Sequence, residues 1–279
     1  MAKADLHTHT TFSDGTLTPT QLVEHARAVG LKAIAITDHD AVEGVPEGEL
    51  AGSARGILVV PGVEINTDIP GTEVHILGYF VDVRAEALCE ALRNLREGRV
   101  RRAERMVERL HSNGVPVALE RVLAIANGVG AVGRPHVARA IVEAGWAENI
   151  GDAFEKYLKP GRAAYVPRQR FTPEEAIAVV RDAGGVPVLA HPGASACDER
   201  IPEWVRAGLR GLEVDHPQHG PEQVTHYRRL ARDLGLVATA GSDFHAPREG
   251  APGLGDHPCG LEVVERLREE AERLHGTPV

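Results

Sequence analysis

Short apolar runs recur along the chain, each closing in polar residues: "ADLHTHT", "LKAIAITDHD", "GILVVPGVEIN", "TEVHILGYFV", "GGVPVLAHPG", "LRGLEVDHP" and "GLVATAGSDFH". Rich in Val, Ile and Leu and bounded by Gly or Pro, they predict buried strands. Between several of them lie helical patterns with clear start and stop signals. "TPTQLVEHARAVG" offers Thr18 as N-cap, Pro19 at the first helical position and Gly30 as a stop. "TPEEAIAVVRDAGG" repeats the design from Thr172, and "GPEQVTHYRRLARDLG" repeats it from Gly220 to Gly235. Alternating strand and helix predicts a parallel α/β fold, and seven candidate strands favour a barrel or strongly curved sheet over a flat one. From roughly Leu88 to Arg162 the rhythm changes to helix alone, in "ALCEALRNLREGRVRRAERMVERLHSNG", "GRPHVARAIVEAG" and "NIGDAFEKYLKPG". The expected organisation is therefore a barrel domain over residues 1–90 and 165–279. A helical insertion over 91–164 is expected to cover its mouth. "LEVVERLREEAERLHG" predicts a charged amphipathic C-terminal helix docked on the surface.

Composition narrows the class without naming a function. At 279 residues, 43% hydrophobic and 25% charged, the chain is long enough to bury a substantial core. No apolar run approaches a membrane span, and the N-terminus lacks the apolar core of a signal peptide. Cys89, Cys197 and Cys259 are odd in number, far apart and free of any C-x-x-C spacing, so they read as reduced thiols of a cytoplasmic protein. A formal charge of −9 disfavours binding of long duplexes through a broad basic face, while leaving room for a small phosphorylated ligand. Nothing points to a membrane or to an obligate protein partner. The 14 histidines stand out, and their positions carry the chemistry.

The last residues of the candidate strands form a consistent set. The first ends in His7 and His9 with Asp14 just beyond, the second in Asp38-His39-Asp40 and the third in Glu64, while the fourth carries His75. The fifth ends in His191, the sixth in Asp215-His216 and the seventh in Asp243 and His245. In parallel α/β folds the C-terminal ends of the strands build the active face, so these side chains are expected on one rim. Residues i and i+2 of a strand point the same way, so His7 and His9 are placed to hold one ion together, and Asp243 with His245 repeats the spacing. Imidazole nitrogen and carboxylate oxygen suit Mn²⁺, Zn²⁺ or Fe²⁺, and the absence of cysteine argues against a structural thiolate site. Glu64 can bridge two ions, one on each oxygen. His25, His111, His226 and His275, on helical patterns, read as surface residues, and His257 as a loop residue.

These motifs resemble the polymerase and histidinol phosphatase (PHP) family. "DLHTHTTFSDG", "AITDHD", "GVEI", "EVHILGYF", "LAHPG" and "AGSDFH" carry the resemblance from Asp5 to His245. It implies a distorted seven-stranded (β/α) barrel with a helical insertion and a cleft for two to three divalent ions, Mn²⁺ first, with Zn²⁺ or Fe²⁺ also suited. Carried over residue by residue, one ion would lie on His7, His9, Glu64 and Asp243. A second would share Glu64 and add His75 and His191, and a third would take Asp14, His39 and His245.

Within the family, "GRPHVARAIVEAG", "YLKPGRAAYVPR" and "GLEVDHPQH" look like the nucleotide branch. The expected activity is hydrolysis of the 3′-phosphate of nucleoside 3′,5′-bisphosphates by a metal-bound hydroxide. The alternatives are 5′→3′ exonuclease or phosphodiesterase action on short 5′-phosphorylated RNA or DNA, and hydrolysis of another small monoester such as histidinol phosphate. A metal-dependent scaffold without activity is the reading that the intact ligand set disfavours. His216 is the candidate proton donor, with an orienting partner of a ligand as the competing role. Arg134 is the first candidate for the second phosphate, because guanidinium grips phosphate through two parallel hydrogen bonds; Lys159, Arg162 and Arg168 follow.

Overall fold

A computed structural model of the protein describes residues 2–126, 132–168, 170–247, 250 and 252–275. The chain divides into two compact units, Met1–Leu92 with Arg170–Val279, and Arg93–Gln169.

The first unit holds a sheet of eight strands among the described residues: β1 Lys3–Asp5, β2 Ala33–Ile36, β3 Leu58–Ile69, β4 Thr72–Tyr79, β5 Val186–Leu189, β6 Gly211–Asp215, β7 Val237–Ala240 and β8 Cys259–Gly260. The order across the sheet is β7-β6-β5-β4-β3-β2-β1-β8. Seven strands fall on the seven apolar runs. The eighth, a two-residue piece antiparallel to β1, is too short to leave a pattern. Beyond the ends of β1 and β7 the sheet nearly closes on itself. Leu6 N–H donates to Ala240 O, Phe244 N–H to His7 O and His9 N–H to Phe244 O at 2.9–3.3 Å, making the barrel-like architecture that the resemblance implies.

Among the seven expected strands, the expectation of parallel pairing needs correction at one. β4 runs antiparallel to both β3 and β5. A parallel return needs a crossover of a dozen residues or more, and only Pro70-Gly71 separates β3 from β4. Gly71 adopts φ +96°, where a Cβ would be strained, and the pair makes a tight hairpin. The reversal decides where β4 meets the rim: its N-terminal half, not its end, lies there, which is why His75 sits early in the strand.

Small residues let the interior close. Ala4, Ala33, Ala35 and Ala190 pack with Leu6, Val60, Leu77, Tyr79 and Val188 in one buried cluster. Val264, Leu267 and Ala271 of the C-terminal helix Leu261–His275 join it, so that helix seals the barrel core with its apolar stripe. Tyr79 Oη donates to Leu6 O at 2.8 Å, satisfying a buried hydroxyl in that interior. On the outer face, α1 (Pro19–Ala28) and α2 (Val45–Arg55) bury Leu22, Val23, Val45 and Ala51 against Ile34, Ile36 and Val59. Thr18 caps α1, and Thr172 caps the helix Pro173–Asp182, each through a reciprocal pair with the Gln or Glu three residues on. Short helices at Pro192–Ser195 and Ile201–Ala207, and a longer one at Pro221–Asp233, complete the connections.

The long helix Glu86–Ser112 runs into the second unit, which is otherwise built from Leu119–Ile125, Arg134–Glu143, Ile150–Ala153 and a π-helical turn at Phe154–Leu158. Its own core includes Met106, Leu110, Val137, Ile141, Ala153 and Leu158. No helix among the described residues is long and apolar enough to cross a membrane.

Candidate active site

Glu64 is the centre of the constellation. Deep in β3 and only 1% exposed, it presents its two oxygens to two different groups of imidazoles. Oε1 lies 2.8 Å from His75 Nδ1 and 3.1 Å from His191 Nε2. Oε2 lies 2.9 Å from His39 Nδ1 and 3.3 Å from the Nε2 atoms of both His7 and His9. Asp243 approaches from the segment after β7, its Oδ1 3.1 Å from His9 Nε2 and 3.4 Å from His7 Nε2. Asp14 forms a second focus, with Oδ1 3.2 Å from His245 Nε2 and Oδ2 3.9 Å from His39 Nε2. All nine sequence-predicted ligands are thus brought together. Within them, His7, His9, Glu64 and Asp243 converge to within 4.8 Å of one another, as do His9, Asp14, His39 and His245, and again His39, Glu64 and His75.

Several of these atoms make sense only with a cation. Nε2 of His7, His9 and His75 and Oε2 of Glu64 are sealed from solvent and have no hydrogen-bond partner among the described residues. A buried polar atom in that state is costly, and one ion answers several of them at once. The electrostatics agree. Burial alone would neutralise Glu64, yet His39, His7 and His75 outweigh it and hold the carboxyl well below its usual range. Asp243 is likewise held far down, by His7, His216 and His9 against burial. Burial, with His245 and His39, pushes His9 down, and burial also lowers His75, leaving neutral rings of the kind that ligate metals. Burial opposes charge on His7 too, but Glu213, Glu64 and Asp243 outweigh it and raise it well above the usual range.

The route to these positions differs from simple strand alternation at one end. His7 and His9 share a face because the chain stays extended past β1, with Thr37 N–H donating to Thr8 O at 2.9 Å. Asp243, by contrast, sits in left-handed backbone at φ 52°, and His245 turns away to Asp14 while its Nδ1 meets Asp243 O at 2.8 Å. His191 (φ 25°) and Asp40 (φ 48°) are also left-handed, so strain gathers on this rim. Two motif glycines are dictated by close approach: a Cβ on Gly15 would lie 2.4 Å from His9 O, and one on Gly241 2.3 Å from His7 Cβ.

The remaining acids of the motifs buckle the loops. Asp5 accepts from Ser242 N–H (2.9 Å), Ser242 Oγ–H (2.5 Å) and Gly255 N–H (2.8 Å), fixing the turn that carries Asp243. Asp38 accepts from Thr10 N–H, Thr10 Oγ–H and Ser13 Oγ–H at 2.6–2.7 Å, ordering the loop before Asp14. Asp40 accepts from Asn66 N–H at 3.0 Å, and Asn66 Nδ2 lies 3.2 Å from His39 Nδ1. Sequence reasoning overlooks Glu213, fully buried in β6, whose Oε1 lies 3.0 Å from His7 Nδ1. The signal is present in "GLEVD", a charge inside an apolar run. Asp215 leaves the cluster and pairs instead with His257 Nδ1 at 2.7 Å.

His216 is wholly buried, with Nδ1 accepting from Gln218 N–H at 3.2 Å. Its proton therefore resides on Nε2, which faces Asp243 Oδ2 at 3.5 Å. The four predicted phosphate contacts lie in the second unit. Arg134 stacks over the Phe154 ring at 5.8 Å, Lys159 is ion-paired with Glu155, Arg162 is exposed and Arg168 is partly buried. His226, expected as a plain surface residue, is paired with Asp198 at 2.7 Å.

An acidic and imidazole-rich cleft at one rim of a barrel, with a central carboxylate between two groups of imidazoles, is a donor set suited to divalent metal ions. Residues 5–159 match the family model of the PHP domain. The chain is 40% identical over 278 residues to the 5′-3′ exoribonuclease Rnm of Escherichia coli, covering 96% of this chain and 94% of that protein. It is 35% identical over 260 residues to the 3′,5′-nucleoside bisphosphate phosphatase of Chromobacterium violaceum, covering 91% of each. The structure superposes on a Bifidobacterium adolescentis protein named for metal-dependent phosphoesterase activity with a TM-score of 0.78 and 37% identity, over 95% of this chain and 94% of that one. The protein belongs to the PHP-domain family and is a hydrolase of phosphoric esters.

Proposed function

We propose that the protein removes the 3′-phosphate from nucleoside 3′,5′-bisphosphates. The observation that supports the ion-dependent chemistry of this reading is the split of Glu64 between His75 and His191 on one oxygen and His7, His9 and His39 on the other. In this reading His7, His9, Glu64 and Asp243 hold one ion, Glu64, His75 and His191 a second, and Asp14, His39 and His245 a third. The oxygen and nitrogen donors suit Mn²⁺, Zn²⁺ or Fe²⁺, of which Mn²⁺ is the ion we propose. When bound, such ions activate a water molecule for attack and neutralise the non-bridging phosphate oxygens. The protein's own residues do the rest. Glu64 sets the spacing of the cations, the buried histidines exclude bulk water, and Asp5 and Asp38 keep the ligand loops from moving. The similarity to the Chromobacterium phosphatase supports the substrate class. The three cysteines, all unpaired, suit a cytoplasmic setting.

The identity with the Escherichia coli exoribonuclease favours a second reading, removal of nucleotides from short 5′-phosphorylated RNA. Phosphate and nucleotide release from adenosine 3′,5′-bisphosphate, 5′-phosphorylated dinucleotides and histidinol phosphate, measured with Mn²⁺, separates the readings. Turnover of histidinol phosphate alone would defeat both.

We assign the substrate's second phosphate to Arg134, with Arg162 and Arg168 in support, and Lys159 least because Glu155 engages its charge. Arg134→Ala is expected to raise KM for the bisphosphate by about 10-fold or more, the worth of a charge-assisted contact, while sparing p-nitrophenyl phosphate. Equal effects on both would count against the assignment. His216 holds the proton that the leaving ribose oxygen needs. His216→Asn should therefore slow the nucleotide, with its poor alkoxide leaving group, by about 100-fold, but p-nitrophenyl phosphate far less. Equal losses would leave His216 only the task of steadying Asp243.

A further inference from the structure

We propose that Glu213 is a positioning residue that ties the first and second ion sites together, so that the two assemble as one unit. The inference rests on the ligand assignment above and adds a residue outside the ligand set. Glu213 is fully buried in β6, and each of its oxygens is committed. Oε1 accepts from His7 Nδ1–H at 3.0 Å, and Oε2 accepts from the backbone N–H of His191 at 2.8 Å.

Each contact has a consequence for a different ion. With a proton held on Nδ1 of His7, Nε2 is the nitrogen left for an ion to occupy in place of the second proton, and it faces Glu64 Oε2 at 3.3 Å and Asp243 Oδ1 at 3.4 Å. A ligating imidazole needs this tautomer, and its partner on the other nitrogen selects it. On the other side, His191 adopts φ 25° and ψ 59°, a conformation sparsely populated for a residue with a Cβ. The bond from its N–H to Glu213 helps hold that turn, which aims Nε2 at Glu64 Oε1, 3.1 Å away. One carboxylate thus sets the tautomer of a ligand to one ion and the backbone of a ligand to the next. A displacement of Glu213 disturbs both, whereas the third ion's ligands gather on Asp14, which pairs with His245 at 3.2 Å.

An amide cannot replace it. With its oxygen toward His7, the NH₂ group of a glutamine would face the N–H of His191, donor against donor. Turned round, the NH₂ would face Nδ1 of His7 and drive that ring's proton onto Nε2, the atom aimed at the ion.

The test compares wild-type protein and Glu213→Gln after equilibration with graded Mn²⁺, read by metal content and by the electron paramagnetic resonance of bound Mn²⁺. Expected in the variant is an affinity for the paired ions about 10- to 100-fold weaker. The spin-coupled signal of neighbouring ions should be lost and the signal of an isolated ion retained. A variant with the full complement and coupled signal at wild-type affinity would overturn the role of Glu213 and leave the metal reading standing. Loss of the isolated ion as well would make Glu213 a general structural residue and also overturn it. A wild-type protein that takes up no Mn²⁺ would remove the metal reading, and this inference with it. A measurement without any variant guards against misfolding: in Zn²⁺-loaded wild-type protein, imidazole ¹H–¹⁵N correlation should show His7 protonated on Nδ1 and ligated through Nε2. The opposite pattern would sink the proposal.

Discussion

Glu64→Gln is expected to lower kcat/KM by more than about 100-fold on every substrate the protein turns over, whatever its leaving group. Loss of an outer partner of a metal ligand already costs about 10- to 100-fold, and Glu64 stands at the centre of the donor set. Its two oxygens serve five imidazoles: His7, His9, His39, His75 and His191. The amide removes the negative charge that the proposed ions would share and halves the acceptors. Metal content of the same preparation checks the cause, since the variant should hold fewer ions at equal free Mn²⁺. Full activity in a metal-replete Glu64→Gln protein would contradict the bridging role outright. Asp243→Ala, which spoils one focus rather than two, should lose activity less completely.

The second large effect is removal of the ions themselves. Dialysis against a chelator should abolish activity, and Mn²⁺ should restore it. The same treatment should lower the melting temperature, because a ligand bound only by the folded state at about 100 times its Kd adds about 2.7 kcal/mol. For a unit of this size that corresponds to roughly 5 °C or more. The reason lies in the buried atoms with no hydrogen-bond partner, Nε2 of His7, His9 and His75 and Oε2 of Glu64, which an ion satisfies and water does not reach. An unchanged melting temperature with abolished activity would mean that the ions bind too weakly at the concentration used to stabilise the fold. Calorimetry with and without Mn²⁺ reads this directly.

Much of the site is legible in the sequence because each of its parts has a local signature. Val, Ile and Leu runs ending in His, Asp or Glu mark the strands, and the two-residue period of a strand is enough to put His7 and His9 on a common face. The helices at Pro19 and Pro173 are readable from Thr-Pro at one end and Gly at the other, since capping and left-handed stops depend on neighbours in sequence. Strand direction is not readable from run composition alone, because a buried strand carries the same apolar residues whichever way it runs. The two-residue Pro70-Gly71 link holds that information. Glu213 escapes notice for a different reason. A lone acid in an apolar strand announces a partner but not its identity, and the partners, His7 and the backbone of His191, lie 206 and 22 residues away.

By itself, then, the sequence determined the inventory: which side chains are offered as donors at the rim, which seven segments are strands, and that those donors are nitrogen and oxygen rather than sulfur. These follow from side-chain chemistry and short-range periodicity. Only the tertiary structure decided how the donors are shared out. Asp243 and His245, two residues apart, part company because Asp243 sits at φ 52°. Asp5, Asp38 and Asp40, as acidic as the ligands beside them, turn instead to Ser242, Thr10 and Asn66. Whether a carboxylate ligates or buckles a loop depends on which backbone N–H groups the closing sheet brings within about 3 Å of it. Distant strands settle that contact, and no neighbour in the sequence can.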